Sequence, residues 1–202
     1  MAIKFQYNKT SLGELGKQLK MRQRALPTIK SKESALRVEV SAAKDRAEGY
    51  QQQIDELIAK YDYMAALWGE FESDLLAVKD VVLGMNKIAG VKIPALKEVI
   101  FEERPYDLFA SPAWYADGVE VLKNIARLGI EFEVFQRRTE LLDHARKKTT
   151  QKVNLYEKVQ IPGYEDAIRK IKRFLEDEEN LSKSAQKIVK TKHEQLKPAE
   201  EL

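Results

Sequence analysis

The residues that come nearest to a reactive arrangement are Gly13-Glu14-Leu15-Gly16-Lys17-Gln18. A phosphate loop of the G-x-x-x-x-G-K-[ST] type cradles phosphates on glycine-permitted backbone and needs a hydroxyl beside the lysine for a metal ion. Here Ser11 stands where the first glycine belongs and Gln18 where the hydroxyl belongs, and no strand signal precedes them. The two histidines, His144 and His193, are too far apart for the H-E-x-x-H zinc spacing. Glu176-Asp177-Glu178-Glu179 occupies successive helix positions, so its carboxylates point in several directions, as on a solvated face. With no cysteine there is no thiol nucleophile, disulfide or thiolate ligand. No Ser/His/Asp set stands out, and we expect no catalytic centre, no bound metal and no cofactor.

Charge is the remaining chemical signal. The 202 residues carry a net charge of only +3, but it is concentrated near the two ends. Lys4, Lys9, Lys17, Lys20, Arg22, Arg24, Lys30 and Lys32 face the single acid Glu14 in the first stretch. Lys183, Lys187, Lys190, Lys192 and Lys197 face Glu194, Glu200 and Glu201 in the last. A chain that doubles back would bring the two basic segments to one end. Such an end suits nucleic acid, an anionic membrane or an acidic protein, or it is simply a solvated face. No stretch reaches the length of an uncharged membrane span and the start lacks an apolar signal core, so we expect neither a span nor a secretory signal.

The elements that would position these charges read as long helices. From Leu12 to Met85 apolar residues recur at alternating steps of three and four. One seam position runs Leu12, Leu19, Leu26, Glu33, Val40, Ala47, Ile54, Tyr61, Trp68, Leu75 and Val82; the other runs Leu15, Arg22, Ile29, Leu36, Ala43, Tyr50, Leu57, Met64, Phe71, Val78 and Met85. That repeat predicts one helix paired with another, about 110 Å long at the usual rise per residue. Only Arg22 and Glu33 interrupt the seam with polar groups. Ser11 and Glu14 have capping-box spacing at its start, and Pro27 predicts a kink near Ala25–Leu26.

Gly84, Gly90, Pro94, Pro105 and Pro112 then break the phase, and residues 91–93 and 98–102 read as two short strands. Helix resumes with Ser111 as cap and Pro112 in the first turn, or later at Asp117. Its seam is Val121, Ile125, Leu128, Phe132, Phe135, Thr139 and Leu142. After a phase shift it continues as Ile161, Tyr164, Ile168, Ile171 and Leu175, and more weakly through Ala185, Val189 and Leu196. Such a slip marks a local change of supercoil, and Pro162-Gly163 is a second place for a kink. The expected fold is all-α: a long antiparallel two-helix coiled-coil hairpin with a small head containing a short β-hairpin. Its segments are a first helix (1–84), the head (85–111) and a second helix (112–202). Trp68, Phe71, Phe101, Tyr106, Phe109, Trp114, Tyr115, Phe132 and Phe135 are expected to pack together at the head end.

Several segments resemble one family. Residues 150–161 (TQKVNLYEKVQI) followed by Pro162 resemble the "RRVNALE…IP" signature of the D subunits of V-type and A-type rotary ATPases, with Val153, Asn154, Ile161 and Pro162 on its most specific positions. Residues 165–175, then Glu178 and Glu179, are similar to the family's "I..I...L.E.E" pattern. Residues 88–94 (IAGVKIP), with Gly90 and Pro94, are similar to its G-V-x-I-P turn. Thr10, Ser11, Leu12, Leu15, Leu19 and Lys20, followed by residues 30–36 (KSKESAL), resemble its opening. Leu155-Tyr156 stands in place of Ala-Leu, Gln151-Lys152 in place of two arginines, Glu33-Ser34 in place of Arg-Asp, and Pro27 in place of an ordinary helix former.

The resemblance implies a non-catalytic, cytoplasmic rotor shaft, peripheral to the membrane and able to couple ATP synthesis or hydrolysis to H⁺ or Na⁺ transport. Its implied partners are a ring of catalytic and regulatory nucleotide-binding subunits, the small F subunit, and a funnel-like subunit above the membrane rotor; nucleic acid is not among them. Lys17, Lys20, Arg22, Arg24, Lys187 and Lys190 are then the candidate ring contacts. The alternative is a non-motor coiled-coil scaffold or membrane-surface adaptor.

Overall fold

Residues 3–107 and 111–196 are described by the structure, a computed structural model; Phe109, Lys197, Glu200 and Glu201 lie outside them. Helix α1 spans Lys9–Lys60, strands β1 and β2 span Leu76–Ile88 and Val91–Glu103, and helix α2 spans Tyr115–Asn154. A π-helical stretch, Leu155–Gln160, joins α2 to helix α3, Ile161–Leu196. The described residues are mainly helical with one two-stranded antiparallel sheet among them. It divides into two compact units, one made of the residues up to Ser31 and from Thr150 onward, the other of Lys32–Thr149.

In the first unit the start of α1 packs on α3. Leu15, Tyr164, Ala167 and Ile171 form the core, flanked by Ile3, Phe5, Leu12, Leu19, Ile168 and Leu175. The direction is antiparallel. Gln18 bonds the Tyr164 hydroxyl, Arg22 bonds Gln160 and Lys30 bonds Glu157, the partner number falling as the α1 number rises. Asn8 rather than Ser11 caps α1, its Oδ1 accepting the Ser11 N–H at 2.7 Å. Ser11 Oγ instead accepts from the Gln6 N–H at 3.3 Å. Helix α1 continues through Pro27, so the proline removes one hydrogen bond without ending the helix.

The phase slip in the second helix has a structural form. Counting in sevens from Leu142, the seam should return at Thr149, Tyr156, Gly163 and Lys170. Tyr164 and Ile171, one place later, are buried instead, with Ala167 between them. The π segment lies between, and the Ile161 N–H reaches back five residues to the Tyr156 carbonyl. A π turn is an α-helix holding one extra residue, which is the size of the slip. Pro162 falls in the first turn of α3 and does not interrupt it.

In the second unit Leu36, Val40 and Ala43 of α1, Phe135 and Leu142 of α2 and Ile93 of β2 form one core. Here two expectations are corrected. Helix α1 ends at Lys60, and the residues assigned to its last heptads form short 3-10 turns and then β1. The two expected strands are both part of β2, and their partner is the segment read as helix. Residues 76–88 are rich in valine, which suits a pleated surface. Register shifts at Val78/Asp80 and Val82/Leu83 interrupt the strand's two-residue alternation, and Val78 and Met85, placed on the helical seam, are exposed. The hairpin turns through Ala89 and Gly90, with φ of 47° and 82°.

The start of α2 is Tyr115, between the two expected starts, with the Tyr115 N–H bonded to the Pro112 carbonyl at 3.0 Å. Trp68, Phe71, Tyr106, Trp114 and Tyr115 stack edge to face or tilted in one aromatic cluster. Phe135 leaves that group and pairs with Tyr50, ring centres 5.5 Å apart. Gly118 belongs under the cluster, because a Cβ there would sit 3.0 Å from Trp114 Cζ3.

Candidate functional site

A reactive pocket would need convergent polar groups in an enclosed space. A recess of the first unit, of about 820 Å³, is an open groove lined by Tyr7, Lys9, Leu12, Lys172, Leu175 and Glu179 among others. Among the described residues no group of three His, Cys, Asp or Glu side chains is placed to hold a metal ion. No helix among them is long and apolar enough to cross a membrane. Gly13 and Gly16 lie within α1 and Leu15 is buried, so the stretch imitating a phosphate loop is helix. His144 and His193 are both exposed. In the acidic run Glu179 pairs with Lys183 at 2.7 Å, which holds its carboxyl below the usual pKa.

The candidate contact residues therefore have to be judged as surface. Lys17, Lys20 and Arg24 are exposed on α1, and Lys187 and Lys190 on α3. Arg22 is only half exposed. Its Nε donates to Gln160 Oε1 at 2.7 Å, an Nη donates to the Gln18 carbonyl, and the guanidinium lies 4.6 Å from the centre of the Tyr164 ring. The six cations do not meet at one level. From Tyr164, beside Arg22, to Lys187 the helix advances about 35 Å, and Lys187 and Lys190 lie beyond the stretch of α3 that α1 covers. The basic character thus divides into a set on α1 and a set on the exposed end of α3. Leu181, Ile188 and Val189 are exposed there as well.

The signature residues have structural positions. Val153 is buried near the end of α2, Asn154 closes that helix and is exposed, and Ile161 and Pro162 open α3. Gly90 forms the hairpin turn, and Pro94 lies on β2 opposite Met85. Pro94 also has a role that its sequence context did not indicate. Its carbonyl accepts two hydrogen bonds from Arg138, whose guanidinium stacks 4.1 Å above the Phe135 ring centre. Burial and the neighbouring Arg46 charge lower the Arg138 pKa. No motif marks Arg138; only the tertiary contact identifies it.

The fold defines a class: a mainly helical protein in whose second unit two long helices pack with a two-stranded antiparallel hairpin. Residues 11–191 match the family described as the ATP synthase D subunit, and the chain belongs to that family. It is 31% identical over 191 residues to a V-type ATP synthase D subunit of Borreliella burgdorferi, covering 93% of this chain and 94% of the relative. A protein of the same description from Chlamydia muridarum is 31% identical over 182 residues, covering 85% and 87%. One from Chlamydia trachomatis serovar L2 is 30% identical over 207 residues, covering 98% and 100%.

Proposed function

We propose that this chain is the central rotor shaft of a V-type ATP synthase or ATPase. It passes torque between nucleotide chemistry in a ring of catalytic and regulatory subunits and H⁺ or Na⁺ transport in the membrane rotor. It performs no chemistry of its own, and works on the cytoplasmic side, peripheral to the membrane. Its partners on this reading are the ring, the small F subunit and a funnel-like subunit.

One observation carries the reading beyond family membership. The helix α1 holds 52 residues, about 78 Å of helix, and from Leu12 to Leu57 its seam residues are buried or half-buried throughout. A shaft must resist twist, which the packed parts of that seam, around Leu15 and around Leu36 to Ala43, provide. It must also turn inside a sleeve without locking at one angle. Scattered exposed lysines suit that need, because exposed ion pairs contribute only about 0–1 kcal/mol each. Lys17, Lys20 and Arg24 on α1, with Lys187 and Lys190 on α3, are the residues we assign to the sleeve. Arg22, held by Gln160 and Tyr164, contributes to that end from within the helix pair.

The test is an affinity pull-down of the chain from native membranes at low salt, with partners identified and copies counted. One copy per three plus three nucleotide-binding subunits, with the F subunit, is the expected result. Recovery as a self-dimer with lipid or unrelated proteins would overturn it in favour of a scaffold. Neutralising the five sleeve residues together should weaken coupled activity or assembly; unchanged coupling would remove the contact assignment.

A further inference from the structure

Both helices of the first unit depart from regular α geometry at the same level. On α1 the departure is Pro27, which lacks the N–H that would bond the Gln23 carbonyl. On the facing helix it is the π segment Leu155–Gln160. The Arg22–Gln160 hydrogen bond and the Lys30–Glu157 ion pair, each 2.7 Å, bracket Pro27 and set the two features opposite one another.

Packing is thin at this level. From Lys20 to Ser31 on α1, and from Asn154 to Gln160 on the facing helix, no residue is buried. Two apolar side chains of the π segment, Leu155 and Val159, are 42% and 41% exposed. The core of Leu15, Tyr164, Ala167 and Ile171 lies outside the stretch. Segments with few buried contacts and weakened backbone bonding open at lower free energy than packed ones, and π turns recur at functional positions in helices.

We propose that Pro27 and the 155–160 π segment form a compliant joint across the paired helices, the place where the pair opens and twists before its packed parts do. Each feature alone would soften one helix while its neighbour splinted it. Placed opposite one another, neither is splinted. On the shaft reading, on which its use though not its existence rests, such a joint takes up twist between discrete steps of the ring.

Hydrogen exchange followed by mass spectrometry on the intact chain tests the joint directly. Amides of residues 24–31 and 155–162 should exchange at least about tenfold faster than those of 12–19 and 164–175. Two variants should slow them toward their neighbours: Pro27→Ala, which restores a helical donor, and deletion of Lys158, an exposed residue whose removal closes the extra-residue slip. Should the deletion disturb folding, as judged by helical circular dichroism, Pro27→Ala decides alone. Equal exchange in joint and flanks, or no slowing in a folded variant, overturns the proposal. Because the chain is measured by itself, failure of the shaft reading in the pull-down leaves this result standing, and the reverse also holds.

Discussion

A single guanidinium on α2, that of Arg138, donates two hydrogen bonds to one carbonyl on β2, that of Pro94, at 3.2 and 2.9 Å. Since Arg138 also stacks on Phe135, it ties the hairpin to the helix that carries that core residue. Lysine supplies a point charge without the planar fork or the stacking face. We expect Arg138→Lys to destabilise the protein by about 1 kcal/mol and Arg138→Ala by about 2–3 kcal/mol. Urea unfolding measures both, and a wild-type midpoint in the alanine variant would show that the clamp does not hold the hairpin.

Ile93 supplies the apolar side of the same attachment. It is fully buried at 0% exposure, whereas Met85 on the paired strand is 70% exposed. Ile93→Ala should cost about 2–4 kcal/mol through lost burial and the cavity left behind. Met85→Ala should stay within about 0.5 kcal/mol. Thermal unfolding of the two variants side by side separates a docked hairpin from a dangling one, for which the two losses would be alike.

The polar seam residues are satisfied where they stand. Arg22 has Gln160, the Gln18 carbonyl and the Tyr164 ring, and Glu33 pairs with Arg37 at 2.9 Å. Arg22→Leu should therefore lower stability by about 1 kcal/mol, since it strips Gln160 of its partner. A rise in midpoint temperature would identify Arg22 as a plain intrusion into an apolar seam.

Asp143 accepts from Lys147 and Arg146, and those bonds hold its carboxyl below the usual aspartate range. A carboxylate with a depressed native pKa stabilises the fold above its unfolded pKa and loses that contribution as pH falls through the native value. Asp143→Asn should cost less than about 1 kcal/mol at pH 7, the side chain being partly exposed. The difference between variant and wild type should shrink below about pH 4. A gap that stays constant across an acid titration of stability would assign the effect to something other than this charge.

Gly90 holds φ of 82° at the hairpin turn, with Lys32 Nζ 3.4 Å from where a Cβ would lie. The lysine tip can move, so the backbone conformation sets the cost. Gly90→Ala should destabilise by about 1 kcal/mol, read as a lower urea midpoint with unchanged slope.

The seam of α1 was legible in the sequence because helical periodicity is local. Residues at steps of three and four share one face whatever the partner, and those from Leu12 to Leu57 are buried or half-buried as that rule requires. The one-residue slip after Leu142 was legible too, although only the structure shows it absorbed in the π segment. Beyond Lys60 the same spacing misled. Of the residues spaced that way, Val78 and Met85 are exposed on β1, and the choice of strand was made by pairing with residues 91–103, which no local window contains. The same limit hid Arg138, whose partner Pro94 lies 44 residues away. It also separated the cations of α1 from those at the end of α3. Periodicity fixes which residues share a face, but the level at which two faces meet depends on where each helix starts and on the extra residue one of them holds.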